Sequence, residues 1–290
     1  MKSILNIVKL AALVWLFRSL WRRMRTGRTI PAYPASDPGT ALITGASSGI
    51  GATYARRLAS EGYDLILVAR RTALLETLCE ELRSTYDIQA TPLTADLATK
   101  AGVDAVSQCI QQQDNLDILI NNAGFGTLGT LVETKLDSQL AMLHVHMTAT
   151  MQCTHAALPA MIARQRGAII NVSSVAAFIH MRGGVNYCAT KAYLNNFSQG
   201  LQSEIKSSGV RIQALCPGFT YTGFHDTEEY ALIGRSRGPA FLWMQADDVV
   251  DASLRGLSSG QVVVVPGHFY QFAVFLLKLP LVGDVLRRLR

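Results

Sequence analysis

Paired cysteines are missing from this chain of 290 residues. Its five cysteines are odd in number, scattered and never spaced as CxxC: Cys79, Cys109, Cys153, Cys188 and Cys216. This pattern predicts neither a disulfide framework nor a zinc site, and we expect no bound metal. Four of these cysteines fall in apolar or mixed segments, where a free thiol behaves as a small hydrophobic group. The simplest interpretation is a reducing, cytosol-facing compartment.

Charged residues are also scarce, at 17% against 49% hydrophobic residues, which excludes an intrinsically disordered chain. The formal net charge of +6 would by itself suggest a nucleic-acid partner. However, many basic residues lie at the two ends of the chain, beside apolar stretches: Arg18, Arg22, Arg23, Arg25 and Arg28, and then Arg287, Arg288 and Arg290. Such terminal clusters favour an anionic membrane surface over a nucleic acid.

The apolar runs are too short for a typical membrane-spanning helix, which needs about 20 residues. Ser3–Phe17 is apolar except for Asn6 and Lys9, and the heavier positive charge follows it without a small-residue cleavage site. Both features argue against a cleaved signal peptide. We predict that residues 1–28 form an interfacial or short anchoring helix that leaves the following domain in the cytosol. The alternative is a helix packed on the protein's own surface or on a second subunit.

The C-terminal segment 268–290 is similarly apolar, interrupted by Lys278 and Pro280, and it ends in a basic cluster. Its length again argues against a membrane span. Two interpretations remain open from the sequence. The segment is either a second contact with a membrane surface or a hydrophobic flap over a substrate.

Between these ends, residues 29–39 contain three prolines and are predicted to be an extended linker. From residue 40 to 267, short apolar runs alternate with helix-length segments, which predicts one α/β domain with a doubly wound parallel sheet of about seven strands. The predicted strands are Ala41–Thr44, Leu65–Val68, Ala90–Leu93, Ile118–Asn121, Ala168–Val172, Ile212–Cys216 and Val262–Val265. The predicted helices are Gly51–Ser60, Ala73–Tyr86, Val103–Gln113, Leu136–Arg164, Tyr187–Ser207 and Asp247–Gly256.

A glycine-rich turn, TGASSGIG over residues 44–51, links the first predicted strand to a helix. Glycines permit a tight turn and let the backbone approach a pyrophosphate, while the helix N-terminus supplies N–H groups and a positive dipole end. The spacing differs from the usual G-x-G-x-x-G. The prediction of a dinucleotide-binding turn therefore depends on its position between a strand and a helix. The predicted cofactor-binding residues of the turn are Gly45, Ser47, Ser48, Gly49, Ile50 and Gly51.

The end of the second predicted strand indicates which dinucleotide would bind. NAD-specific sites usually place a carboxylate here, whereas this chain has Ala69 followed by Arg70. Because a guanidinium forms charge-assisted hydrogen bonds with a phosphate, we predict NADP(H) as the cofactor. The alternative is that Arg70 and Arg71 are solvated residues that open a surface helix. Asp96, after the third strand, is a further candidate at the adenine end.

Tyr187 and Lys191 are four residues apart on a predicted helix and therefore share a face. A phenol ionises near pH 10, which is too high for acid–base work at neutrality. A neighbouring positive charge, such as the Lys191 ammonium, would favour the phenolate and lower this pKa. Ser174, at the end of a buried strand, can donate a hydrogen bond to a substrate carbonyl. Taken alone, a Tyr and a Lys at this spacing are more often two surface residues, and the pair gains weight only together with the glycine-rich turn.

These motifs together resemble the short-chain dehydrogenase/reductase family over residues 40–267. The resemblance rests on TGxxxGxG at 44–51, NNAG at 121–124, Ser174 thirteen residues before Tyr187, YxxxK at 187–191, and Pro217-Gly218. It implies a single Rossmann-fold domain, hydride transfer between NADP(H) and a carbonyl, and a homodimer or homotetramer.

The resemblance also implies a role for each matching residue. Tyr187 would be the general acid, Ser174 would polarise the carbonyl, and Lys191 would lower the pKa of the tyrosine and bind the nicotinamide ribose. Asn122 would border the cofactor and stabilise the central sheet, and Pro217 and Gly218 would also line the cofactor site.

One position departs from the family pattern. Where the family has an asparagine that supports a water chain to the lysine, this chain has His146. His146 could relay a proton, because imidazole titrates near neutrality, but we interpret it as a tolerated replacement. His144 and His155 are interpreted as ordinary helix residues. The departure leaves the proton relay open and the Ser174, Tyr187 and Lys191 constellation intact.

The segment 219–245 lies where the family carries its substrate-covering elements, and it is rich in aromatic residues: Phe219, Tyr221, Phe224, Tyr230, Phe241 and Trp243, with Met244. An adaptable aromatic wall suits a lipophilic substrate, although these residues could instead pack against each other or a partner subunit. With its apolar ends, the chain resembles membrane-associated reductases of the 3-oxoacyl and hydroxysteroid type. The alternative function is a catalytically weak NADP-binding sensor or scaffold at a membrane.

Overall fold

The computed structural model describes residues 37–127, 129–222 and 239–279. The predictions for the N-terminal helix 1–28, for most of the linker, for residues 223–238 of the substrate segment and for 280–290 lie outside the described residues. Within the described ranges, no helix is long and apolar enough to cross a membrane.

The described core is one sheet of seven parallel strands in the order β3-β2-β1-β4-β5-β6-β7. The strands are β1 Thr40–Thr44, β2 Asp64–Ala69, β3 Ala90–Thr94, β4 Leu116–Asn121, β5 Gly167–Val172, β6 Val210–Leu215 and β7 Val263–Val264. Residues of β1, β4 and β5 are buried throughout, because helices cover both faces of the sheet. The predicted doubly wound, seven-stranded parallel sheet is therefore confirmed.

Helices lie on both faces of this sheet. They are α1 Gly49–Ser60, α2 Thr72–Thr85, α3 Lys100–Gln111, α4 Leu136–Leu143, α5 Thr150–Ala163, α6 Val185–Glu204, α7 Ala246–Ser258 and α8 His268–Leu277. One hydrophobic core packs α1, α2 and α7 against the sheet, and a second packs α3 and α5 against the opposite face. Each fully buried large aliphatic side chain contributes roughly 1.5–3 kcal/mol relative to an exposed one. These two cores hold the carboxyl ends of the strands in place.

The predicted single helix Leu136–Arg164 is wrong in one respect. Between α4 and α5 the chain forms a π-helical stretch over His144–Ala149, so the helix continues with wider turns at that point. A π segment inserts the equivalent of one extra residue into the helix and is often found at functional sites. His146 lies within it and is 1% exposed.

Two further features refine the sequence predictions. Residues 268–277, predicted only as the start of an apolar tail, form helix α8. All five cysteines lie within the described residues and are unpaired, and four of them are buried: Cys79, Cys153, Cys188 and Cys216.

Candidate active site

The candidate site lies at the carboxyl edge of the sheet, where the strand order reverses between β1 and β4. The glycine-rich turn follows β1, Asn122 follows β4, Ser174 lies just beyond β5 and Pro217 follows β6. In parallel α/β sheets, this crevice is the usual place for a ligand. The topology therefore gathers the predicted site residues from four strands at one edge.

The glycine-rich turn is held by close backbone contacts that leave no room for side chains. Gly45 has a φ of +66°, and a Cβ there would lie 2.9 Å from the Cα of Ala123. A Cβ at Gly51 would lie 2.4 Å from the carbonyl oxygen of Gly45. The Asn122 amide donates hydrogen bonds to the carbonyl oxygens of Thr44 (2.9 Å) and Gly45 (3.1 Å). Asn122 therefore ties the turn to the end of β4.

The first turn of α1 has the properties of a phosphate-binding helix end. Ser48 precedes the helix without capping it through its side chain, and this first turn contains no acidic residue. A helix leaves its first N–H groups without intrahelical partners, and these carry the positive end of its dipole. Gly49, at a φ of +55°, starts the helix, while Ile50 packs against the core. The turn therefore fits a dinucleotide pyrophosphate.

The two arginines after β2 occupy different surroundings. Arg70 is exposed at the strand end. The Arg71 guanidinium donates hydrogen bonds to the hydroxyl oxygens of Ser47 (2.8 Å) and Ser48 (2.9 Å) in the glycine-rich turn. The sequence pattern favoured Arg70 as the phosphate ligand, with both arginines solvated as the alternative, and this contact of Arg71 was not predicted. The available signal was that Arg71 is a second basic residue directly after Arg70.

Asp96 lies in the turn after β3. One of its carboxylate oxygens accepts a hydrogen bond from the N–H of Ala98 (3.0 Å), and its main-chain oxygen accepts from the hydroxyl of Thr99 (2.8 Å). The carboxylate thus shapes its own turn, which brings it to the same edge of the sheet as the glycine-rich turn.

Ser174, Tyr187 and Lys191 lie at the same edge of the sheet as the glycine-rich turn. The Ser174 hydroxyl oxygen accepts a hydrogen bond from the N–H of Ala176 (3.1 Å). Its own proton points to the carbonyl oxygen of Pro217 at 3.5 Å, the outer limit of a hydrogen bond. The Lys191 Nζ donates to the carbonyl oxygen of Val172 (2.8 Å) and lies 5.7 Å from the centre of the Tyr187 ring. The end of β5 and the first two turns of α6 therefore build one polar cluster.

The electrostatics of this cluster are set by burial. Lys191 is 5% exposed, and burial lowers the pKa of its ammonium to about 8. Loss of water disfavours the charged form of a lysine. A negative charge that forms nearby, such as a phenolate, would favour the charged ammonium and raise this pKa again.

His146 lies next to this cluster. Its Nδ1 is 2.9 Å from the Thr190 hydroxyl oxygen, and its Nε2 accepts a hydrogen bond from the N–H of Phe125 (3.2 Å). Burial, with a smaller contribution from the Lys191 charge, holds the pKa of His146 well below its usual value. His144 bonds the carbonyl oxygen of Leu97, and His155 is exposed, so neither enters the site.

The described parts of the aromatic segment pack against one another. Trp243 stacks with Phe219 (5.3 Å between ring centres) and with Tyr221 (5.1 Å). Phe219 and Tyr221 nevertheless remain 47% and 43% exposed. Phe241 meets Phe269 of α8 edge to face at 5.5 Å. The aromatic residues thus form a packed cluster with an exposed apolar surface.

Helix α8 contacts the segment 219–245 near both of its ends through Tyr270. The Tyr270 hydroxyl accepts a hydrogen bond from the N–H of Phe219 (3.1 Å) and donates one to the carbonyl oxygen of Leu242 (2.7 Å). Its ring fills the space beside Gly218, where a Cβ would lie 2.1 Å from the ring. The described part of the C-terminal segment, 268–279, therefore packs against the chain near Phe219 and Leu242.

Comparison with known proteins agrees with this architecture. A family model described as short chain dehydrogenase matches residues 39–231. Serine 3-dehydrogenase of Agrobacterium fabrum is 39% identical over 188 residues, 64% of this chain and 74% of that protein. An NADP-dependent 3-hydroxy acid dehydrogenase of Schizosaccharomyces pombe is 35% identical over 192 residues, 65% of this chain and 74% of that protein.

Solved structures show the same fold. A short-chain dehydrogenase from Sphingobium yanoikuyae in complex with NADPH has a TM-score of 0.75 and 34% identity, over 82% of this chain and 92% of that one. A bulky-bulky ketone specific alcohol dehydrogenase from Comamonas testosteroni has a TM-score of 0.72 and 30% identity, over 88% and 93%. With a family match over most of its length, this chain belongs to the short-chain dehydrogenase/reductase family of oxidoreductases.

Proposed function

We propose that this chain is an NADP(H)-dependent oxidoreductase that interconverts a ketone and a secondary alcohol, with a lipophilic substrate. The observation that carries the proposal is the cluster of Ser174, Tyr187 and buried Lys191 beside the glycine-rich turn, with the Lys191 Nζ 5.7 Å from the Tyr187 ring centre. A proton donor and a hydrogen-bond donor at one point, next to a pyrophosphate cradle, suit carbonyl reduction.

Each residue of the cluster has a distinct task in this proposal. A nicotinamide cofactor held at this edge of the sheet would supply hydride chemistry, in either direction. Tyr187 gives its phenolic proton to the carbonyl oxygen, so the ketone gains one hydride and one proton and becomes an alcohol. Ser174 keeps its proton and donates a hydrogen bond to the same oxygen, since its own oxygen is oriented by the N–H of Ala176. Lys191 stabilises the phenolate that Tyr187 becomes.

The cofactor would be held by groups at the same edge of the sheet. The first turn of α1 would bind the pyrophosphate, and Asn122, Pro217 and Gly218 would line the nicotinamide end. Arg70 would contact the 2′-phosphate, because Ala69 stands where an NAD site usually has a carboxylate. Asp96 would lie at the adenine end.

The lipophilic substrate is supported by the aromatic cluster of Phe219, Tyr221 and Trp243 and by the exposed apolar side chains around it. Phe241 is 67% exposed and Phe269 of α8 is 48% exposed. Stacked, half-exposed rings bury a flat or long apolar molecule better than a small polar one. The two substrate classes proposed are 3-oxoacyl compounds and steroid-like ketones.

A substrate panel tests this proposal. NADPH oxidation would be followed with 3-oxoacyl thioesters, steroid ketones and small ketones, and NADP⁺ reduction with serine and 3-hydroxy acids. We expect the largest kcat/KM with a bulky apolar ketone. If the small polar substrates are preferred, the lipophilic assignment is wrong. If NADPH binds but every substrate fails, the sensor or scaffold function is the better explanation.

We also propose that residues 1–28 attach the protein to a membrane surface. Deleting them should move the protein from the membrane pellet to the supernatant and preserve NADPH binding, because the deletion ends before the first described residue. Each lost arginine near anionic headgroups would remove about 1 kcal/mol of membrane affinity.

The full-length protein with phosphatidylserine vesicles provides the control. If it stays in the supernatant without detergent and does not bind those vesicles, the anchor assignment is wrong.

Sedimentation of the soluble variant would also measure self-association. Leu136, Leu140 and Met151, exposed along one continuous helix, support a dimer.

A further inference from the structure

His146 connects three parts of the molecule: the π-helical stretch, the loop after β4 and helix α6. It belongs to the π-helical stretch between α4 and α5, and its ring lies between the loop that follows β4 and helix α6. Its ring centre is 6.0 Å from that of Tyr187, in an edge-to-face arrangement. Gly124 makes room for it, since a Cβ there would lie 2.8 Å from Nε2.

The directions of the hydrogen bonds assign the tautomer of His146. The Thr190 hydroxyl donates its proton to the carbonyl oxygen of Tyr187 (2.9 Å). That hydroxyl therefore accepts the bond that joins it to His146, and Nδ1 carries the proton. A main-chain N–H can only donate, so the bond from Phe125 requires Nε2 to be unprotonated. Both nitrogens are satisfied by the neutral ring with a proton on Nδ1.

We propose that His146 is a positioning residue: a neutral bridge that fixes the main chain of Tyr187, through Thr190, relative to the loop after β4. This proposal rests on the proposed function in so far as Tyr187 is the proton donor. In the bridge, His146 bonds Thr190, Thr190 bonds the Tyr187 carbonyl, and the opposite nitrogen holds Phe125. The bridge thus connects the segment that follows Asn122 to the helix that carries Tyr187 and Lys191.

The surroundings favour a permanently neutral ring over a proton carrier. The titratable groups that face it from α6 are Tyr187 and Lys191, and the loop after β4 offers the uncharged ring and N–H of Phe125. A second positive charge would lie close to the Lys191 ammonium. It would also turn Nε2 into a donor that faces the Phe125 N–H.

The tautomer can be tested without any turnover. In the full chain with ¹⁵N-labelled histidine, the six imidazoles would be recorded by NMR between pH 6 and pH 8, and His146 would be assigned from its loss in His146→Asn. We expect a pyrrole-type shift at Nδ1 and a pyridine-type shift at Nε2 throughout. A proton on Nε2, or a doubly protonated ring at pH 6, would overturn the proposal even if the enzyme had no measurable substrate.

Kinetics test the positioning role. Thr190→Val keeps the volume of Thr190 and breaks both of its bonds, and we expect kcat to fall between about tenfold and 10²-fold with little change in the Kd for NADPH. His146→Leu should give a similar fall, and the double variant should be no worse than His146→Leu alone. The matched control for His146→Leu is His155→Ala, because His155 is an exposed histidine of α5, the helix that follows the π-helical stretch.

The pH profile separates the bridge from a relay. In Thr190→Val and His146→Leu the profile of kcat should keep the shape of the wild-type profile at a lower level. Loss of one limb in His146→Leu would show that His146 carries a proton. Additive effects in the double variant, or an unchanged kcat in Thr190→Val, would contradict the bridge. If His146→Leu fails to fold, Thr190→Val and the NMR measurement still decide.

Discussion

Replacing Tyr187 with phenylalanine is expected to reduce turnover at least ~10²-fold while NADPH binding stays nearly intact. The variant removes only the hydroxyl, and the ring that lies 6.0 Å from His146 and 5.7 Å from the Lys191 Nζ can remain in place. Turnover would be measured by NADPH oxidation with the preferred ketone of the panel. Cofactor binding would be measured separately by NADPH fluorescence.

Tyr193→Phe provides the matched control for Tyr187→Phe. Tyr193 lies on the same helix, where its ring stacks with Phe197 at 5.6 Å, and it has no part in the proposed chemistry. Loss of its hydroxyl should leave kcat as it is. Unchanged turnover in Tyr187→Phe would show that Tyr187 is not the general acid.

The second large effect concerns the choice of cofactor. Arg70→Ala should weaken NADPH binding far more than NADH binding, by about 1.5–3 kcal/mol, or roughly 10- to 150-fold in Kd. A guanidinium that contacts the 2′-phosphate has no partner in NADH, so its loss is selective. Kd values for both cofactors would be measured by titration of the intact protein.

Arg71→Ala is the natural comparison, because the two arginines are neighbours with different contacts. Arg71 bonds the hydroxyls of Ser47 and Ser48, so it orients the turn that would bind the pyrophosphate common to both cofactors. We therefore expect Arg71→Ala to weaken NADPH and NADH together. If Arg71→Ala is the selective variant and Arg70→Ala is not, the two roles are exchanged.

The sheet could be predicted from the sequence because its physical signal is local. Strands buried on both faces form short apolar runs between helix-length segments, and most of the predicted strands differ from the observed bounds by one or two residues. The glycine-rich turn could also be predicted from the sequence. Gly45 and Gly51 lie where a side chain would collide with the backbone, so the turn requires glycine at these positions.

The features that the sequence did not predict depend on contacts between residues that are distant in the chain. The π-helical stretch His144–Ala149 leaves the apolar pattern of a long helix nearly unchanged, so periodicity does not reveal it. The bond between Arg71 and Ser47 depends on how a long side chain lies across a neighbouring loop. His146 was found as a departure from a pattern, but its partner Thr190 is 44 residues away and could not be inferred.

The tyrosine of the last described helix, Tyr270, has a consequence for how this enzyme's specificity can change. Its hydroxyl holds main-chain groups 51 and 28 positions earlier, on both sides of the aromatic cluster. The family model that matches this chain ends at residue 231, before that helix begins. The anchor of the aromatic cluster, on α8, is thus separate in the chain from Ser174, Tyr187 and Lys191. We expect a substitution at Tyr270 to shift the aromatic cluster, and with it the proposed substrate range, while Ser174, Tyr187 and Lys191 stay in place.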